Sequence, residues 1–505
     1  MATPAAYRPG EETIAIGLDA EPRSLDPHTS TALNDFRVVM NVYEGLVRFA
    51  DGSLDISPGL AEAWTTSADG LRYSFALRRG VRFHDGSPFD AEAVKFNFDR
   101  MLREDHPYHD TGPFPLAFFF SKISEVRVDG PHLVTIVLDE PYAPLLANLA
   151  YPTGLMVSPA AVRRHGKDYG RHPSGTGPFR FVEWESARRI VLERNDDYWG
   201  RDARSRRLVF RPITDVMTRV AELRGGGLDI VPELSPDHVS WFRAEEDFTV
   251  HESVGPHVWF LILNTRDPPF SDIRMRRAVN YAVDKQALVE HVLQHTATVA
   301  AGPVPKAFDW AYNEDVEPYP HDPERARELI REAGYGDGVE VVFYVPTSGS
   351  GMLAPVEMAT AIQADLAAVG IRVRIETYEW NTYLDKVNSG LGGGADLAEM
   401  AWMTNDPDTL PFLTLRSAAH PPEGFNSGYF SNERVDRLLE QARVSTDRQE
   451  RARLYREVQA LVHEQAPWLF VASWKQNAVV RDRVRDFELQ PSFFLLLGAT
   501  YKESG

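Results

Sequence analysis

Cysteine is absent from all 505 residues. That excludes disulfides, thiolate catalysis, iron–sulfur clusters and Cys-ligated zinc together, but it fixes no compartment. It also means that this form has no lipoprotein-type N-terminal Cys. Long apolar runs are missing too: Phe493–Leu497 is far short of the roughly 18 residues of a membrane span. Positive charge is scarce, with 54 Lys and Arg against 73 Asp and Glu and a net charge of −19. This balance argues against a nucleic-acid or anionic-membrane binder and suits a well-dispersed soluble protein. No Gly-x-Ser-x-Gly elbow and no Gly-x-x-x-x-Gly-Lys-Ser/Thr phosphate loop occurs. The start, Met1–Tyr7, has neither a basic nor an apolar leader region; it reads as leaderless, or as a mature export product with a new initiator Met.

What is present is a chain long enough for two or three packed units, with 43% hydrophobic and 25% charged residues. Strand-like and helix-like stretches alternate without repeats, so the class is α/β or α+β. Leu71–Leu77 alternates as a strand, and Gly80–Gly86 reads as a short strand and turn. Asp90 then offers an N-cap to a helix with Val94, Phe98, Met101 and Leu102 on one face. Leu133–Leu138 and Arg188–Arg194 read as strands, and Val258–Leu263 as a central one. Asp272 caps a helix carrying Met275, Val279 and Ala282; Asp322-Pro323 opens another that Gly334 ends. Strand Val339–Tyr344, a helix through Ile362 and Leu366, and strand Ile371–Ile375 make a βαβ unit. A late helical stripe follows at Leu454, Val458 and Leu461. A boundary falls near Gly255-Pro256.

Chemical motifs are few. Gly225–Gly227 and Gly392–Gly394 lack the context of a phosphate loop and read as turns. His291 and His295, four apart on an expected helix, could share a metal, but no adjacent Glu or third ligand accompanies them; His463-Glu464 is no stronger. Asp406-Pro-Asp408 is a turn signature, a carboxylate pair for general acid/base chemistry, or a ligand contact. Among 10 Trp, 18 Tyr and 27 Phe, the aromatics Phe118–Phe120, Trp380 and Trp402 fall at loops or strand ends, where a ring lines a ligand cleft. No motif calls for a cofactor.

An ordered set of blocks is more telling. Ser24–Pro27, Tyr43–Leu46, Pro58–Trp64, Asp69–Gly86, Asp90–Phe96, Gly175–Phe179, Asp197–Gly200, Arg277–Lys285 and Tyr378–Leu384 follow one another across nearly the whole chain. Together they resemble the large bacterial extracellular solute-binding proteins of family 5, which include dipeptide, oligopeptide and nickel binders. The resemblance implies an α/β, two-lobed periplasmic binding protein fold of class II, cluster C type. Lobe I would hold residues 1–45, an extra subdomain 46–171, residues 172–255 and a C-terminal return 481–505; lobe II would be 257–480. It also implies a monomer, exported to the periplasm or cell surface, that captures a small organic solute between its lobes. The solute would pass to the transmembrane permease of an ABC importer, without catalysis.

By the same resemblance, Trp380 and Trp402 match aromatics that line the ligand pocket. Phe118 and Phe119 lie in a segment similar to a cleft-facing one, and Thr29 and Ser30, just after the first block, are ligand-binding candidates. Two departures stand out. The dipeptide and oligopeptide binders place an Asp shortly after the second Trp to hold the ligand's α-ammonium; here the segment is shorter and has Thr404-Asn405 there. Asp406 or Asp408 could substitute, or form the turn that follows the anchor. The dipeptide binder also has an Arg in the loop after the strand matching 339–345, whereas Thr347–Gly351 has no basic residue. Arg416 could supply a cation from another direction. A buried charge without its partner costs on the order of 3–5 kcal/mol. The expected ligand is therefore a modified or longer peptide, an opine-like conjugate or an oligosaccharide. A carboxylate hydrolase and a metal-complex or haem carrier are the alternatives.

Overall fold

The computed structural model describes residues 12–349 and 351–503. Met1–Tyr7 and Ser350 therefore lie outside the described residues. The chain forms two compact units, Met1–Ser253 with Gln476–Gly505, and Val254–Lys475. It thus passes between them twice, the second time in the middle of the strand Trp468–Arg481.

The first unit is built on a mixed sheet ordered Ile230–Pro232, Thr13–Leu18, Arg207–Pro212, Arg189–Arg194 and Phe179–Glu185. Thr13–Leu18 runs parallel to both its neighbours, and its buried Ile14, Ala15, Ile16 and Leu18 make it the central strand. The returning chain pairs Ala478–Val480 antiparallel to Ile230–Pro232. A second, antiparallel sheet is ordered Ala61–Thr66, Arg72–Leu77, Leu133–Leu138 and Ile123–Gly130. The helix Ala91–Leu102 packs on it, with Val94, Phe98 and Met101 inward as their spacing predicts. The expected short strand in 80–86 is only a bridge between Arg82 and Pro88.

The second unit is ordered Ile371–Tyr378, Val339–Pro346, Leu397–Met403, His257–Leu263 and the first half of Trp468–Arg481. The first three strands are parallel, with the helix Pro355–Ala368 as the crossover between Val339–Pro346 and Ile371–Tyr378. Ile362, Leu366, Met275, Val279, Leu329 and Ile330 close its core over Val341 and Phe343. Helix starts were the most legible feature. Asp90, Asp272 and Asp322 each accept from a backbone amide of the first turn. No helix among the described residues is long and apolar enough to cross a membrane.

The blocks that order the sequence meet as hydrogen-bonded ties within the first unit. The Glu44 carboxylate accepts from Thr176 Oγ1 at 2.8 Å, Tyr198 Oη at 2.7 Å and Trp199 Nε1 at 2.7 Å. Burial pushes its carboxyl above the usual range, and these donors pull it back. His84 Nε2 pairs with the Gly177 carbonyl at 2.9 Å. Arg100, fully buried, pairs with Asp26 at 2.5 Å, reaches Thr111 Oγ1 at 2.8 Å and lies 3.3 Å from His28 Nδ1. The C-terminal return is tied in by Asn41, whose side chain bonds Leu495 O and Leu497 N. Lys502 meets the buried Asp229 at 2.8 Å.

Two expectations follow. Glu44→Ala leaves three donors without their acceptor and should cost about 2–4 kcal/mol in urea unfolding, with Glu44→Gln between it and the parent. Burial lowers His28, His84 and His257 to about 4. The unfolded chain then takes up protons first, so stability is full above pH 6.5 and falls as pH drops toward 4. Asp35 and Asp408, raised to about 6 by burial, oppose this by adding stability as pH falls from 6. His84→Gln should shrink the acid-side loss by up to about 3 kcal/mol, read from unfolding curves at pH 7 and pH 4.5.

Candidate functional site

In the second unit, alternation along Leu397–Met403 divides its side chains between two faces. Met400 and Trp402 share a face with Phe260 and Val258, their partners across the ladder. There Trp468 stacks on Phe260 at 4.0 Å, and Trp402 meets the partly exposed Phe425 edge-on at 5.6 Å. These rings line a small pocket with Met400 and Ile262, in which Asn388, Thr414 and Ser427 are the polar groups. On the opposite face Glu399 is buried, with Oε1 accepting from Trp259 Nε1 at 2.7 Å. Its Oε2 has no partner among the described residues, and burial holds its carboxyl well above the usual range. Sequence reasoning passed over Glu399. The signal was there, an acid inside the apolar run Leu397–Trp402 of a central strand.

Trp380 opens the helix Trp380–Asn388, which Glu379 caps, and stacks on Tyr383 at 5.8 Å. A Cβ added at Gly349 would lie 2.8 Å from the Trp380 ring, so the indole rests on bare backbone. His257 grips the same turn through Gly351 O at 2.8 Å, and a Cβ at Gly351 would come within 3.5 Å of Ala401. Trp380 and the end of the strand bearing Trp402 thus flank one turn.

The residues after Trp402 are spent internally. Thr404 Oγ1 donates to Asp406 O at 2.6 Å, and Thr409 Oγ1 donates to Asn405 Oδ1 at 3.2 Å. Asp406 pairs with the buried Arg451 at 2.5 Å, and Asp408 with Arg443 at 2.6 Å. Tyr455 Oη reaches Asp408 at 3.4 Å. Both carboxylates are buried, and burial raises Asp408 to about 6. Asp406 and Asp408 are thus the two ends of an ion-paired turn. Arg416 lies over the Phe412 ring at 4.0 Å, and Arg443 lies over the same ring at 3.6 Å.

Thr29 and Ser30 close the turn of the Ser24–Pro27 block, Ser30 Oγ donating to Asp26 O at 3.0 Å and Thr29 Oγ1 lying 3.0 Å from Ser24 Oγ. His291 falls in a π-helical turn and His295 has a φ of 64°, so they do not share a helical face. No metal-binding group of three or more His, Asp and Glu occurs among the described residues. Gly226, at φ 79°, ends the helix Val216–Gly225. Phe118 and Phe119 sit on the turn Ala117–Phe120, with Phe118 exposed and Phe119 against Tyr151.

Two α/β units joined by two chain passages, with aromatics displayed at strand ends, are the build of a solute-binding protein. The family model for bacterial extracellular solute-binding proteins, family 5 (middle), matches residues 55–420, and the chain belongs to that family. It is 34% identical to heme-binding protein A of Haemophilus influenzae, over 89% of this chain and 85% of that one. It is 31% identical to the dipeptide-binding protein of Escherichia coli, over 95% and 92%. The solved structure of HbpA2 from Haemophilus parasuis superposes with a TM-score of 0.90 at 28% identity, covering 97% of this chain and all of that one. The protein is thus a substrate-binding component of an ABC transporter.

Breaking the turn after Trp402 tests its structural role. Asp406→Asn leaves Arg451 buried without its charge partner and should cost about 3–5 kcal/mol, whereas Asp406→Leu with Arg451→Met should recover most of that loss in urea unfolding.

Proposed function

We propose that this chain carries a peptide-derived solute other than a free dipeptide, a modified or longer peptide, to an ABC permease outside the cytoplasm. The observation that supports the proposal is the fate of the acids after Trp402. Asp406 and Asp408 are held by Arg451 and Arg443, so the ammonium of a free dipeptide would meet no unclaimed carboxylate from that turn. The turn 347–351 likewise brings no cation for its carboxylate. Recognition then falls to Trp380 and Trp402, whose faces suit the apolar and amide surfaces of a longer or modified chain. The role is capture and release without turnover, because Asp406 and Asp408, the candidate hydrolytic pair, serve as the turn's internal ion pairs. A second cargo, haem, is favoured by the 34% identity to a relative named for binding it.

Calorimetry with Ala-Ala, tripeptides, glutathione and haemin distinguishes these. A tripeptide or glutathione should bind, and at about 100-fold excess over Kd it should stabilise the protein by roughly 2.7 kcal/mol. Comparable binding of Ala-Ala would overturn the proposal. Stoichiometric haemin binding with no peptide binding would replace it with the second cargo.

A further inference from the structure

The first unit contains an aromatic cluster whose burial falls away ring by ring. Phe36 and Phe494 are buried, and Tyr151 lies between them at 5.5 and 5.7 Å. Phe119 meets Tyr151 at 5.8 Å with the rings at 89°. Phe118 lies 4.5 Å from Phe119 and is 55% exposed. The rings come from the helix Leu33–Val39, the turn Ala117–Phe120, the segment after the helix Leu145–Ala150, and the C-terminal return. Their backbone is pinned: Asn148 Nδ2 donates to Phe119 O at 3.0 Å, and Tyr151 N donates to Asn148 O at 3.2 Å. Phe118 is therefore an exposed ring on a fixed support.

Two features here leave room for an occupant. A large aromatic side chain is left in water, although the cluster beside it is apolar. The Tyr151 hydroxyl bonds no protein group among the described residues and is not one of the buried unpaired polar atoms, so it is open to a group from outside. One kind of occupant satisfies both: a flat unsaturated group stacked on Phe118, with an oxygen or nitrogen in reach of Tyr151 Oη.

We infer that Phe118, Phe119 and Tyr151 form a subsite for an aromatic or otherwise planar conjugated group of the solute. The inference rests on the solute-binding role proposed above and adds the chemistry of one part of the cargo. A purely aliphatic solute would leave the ring uncovered and the hydroxyl unpaired.

Titration of the full-length chain with glutathione and with S-benzylglutathione, which differ by one aromatic ring, tests it. The benzyl compound should bind at least tenfold more tightly. Phe118→Ala should abolish the difference and Phe118→Trp should keep it, with melting curves checking that the exposed substitution leaves the fold intact. Equal affinities in the parent overturn the subsite and leave the peptide proposal standing. If neither compound binds, the tripeptide titration above decides the peptide proposal, and protoporphyrin IX fluorescence decides the subsite. Binding that weakens at least tenfold in Phe118→Ala upholds it; no binding overturns it.

Discussion

The carboxylate of Glu44 is where the first unit is knotted. Three donors from two distant blocks converge on it, and the two blocks reach each other through it. A carboxylate taken out of water is tolerable only when such donors surround it, so each of the three is as necessary to Glu44 as Glu44 is to them. His84 repeats the device by fastening its block to Gly177, and Arg100, on the helix that follows Asp90, fastens that helix to Asp26 of the first block. The C-terminal return is fastened in the same way, through Asn41 and through Lys502 on the buried Asp229.

This explains why the blocks that identify the family say so little about the cargo. Glu44, His84, Asp26, Asn280 and Lys285 all lie within them, and all are engaged in ties within their own unit. Lys285, for instance, donates to the Asn280 carbonyl at 2.6 Å and anchors the end of the helix Ile273–Ala282. Trp380 and Trp402, by contrast, carry rings that no such tie engages among the described residues. Specificity is set by which charges are withheld as well as by which are offered.

Much of the fold was legible because its signals are local. Asp90, Asp272 and Asp322 cap helices through bonds spanning two or three residues, and the βαβ unit at 339–378 declares itself by period and by Gly370. The ties were not legible, since Glu44 finds its partners 132 to 155 residues away. The Asp406–Asp408 turn was half legible: its shape is in the Asp-Pro-Asp signature, but Arg443 and Arg451 come from helices 35 and 45 residues further on. His291 and His295 misled because a four-residue spacing implies a shared face only while the helix keeps its α pitch. Trp380 was readable as an aromatic at a strand end; that it rests on Gly349 required the fold.

The discontinuous build of the first unit carries a consequence for synthesis. Residues 254–475 are contiguous, so the second unit has all its strands once that stretch has been made. The first unit does not: Asn41 awaits Leu497 across 456 residues, and Asp229 awaits Lys502 near the very end. Contacts separated so far in sequence form late and slowly. A nascent chain would therefore keep its amino-terminal half unsealed until Leu497 and Lys502 appear.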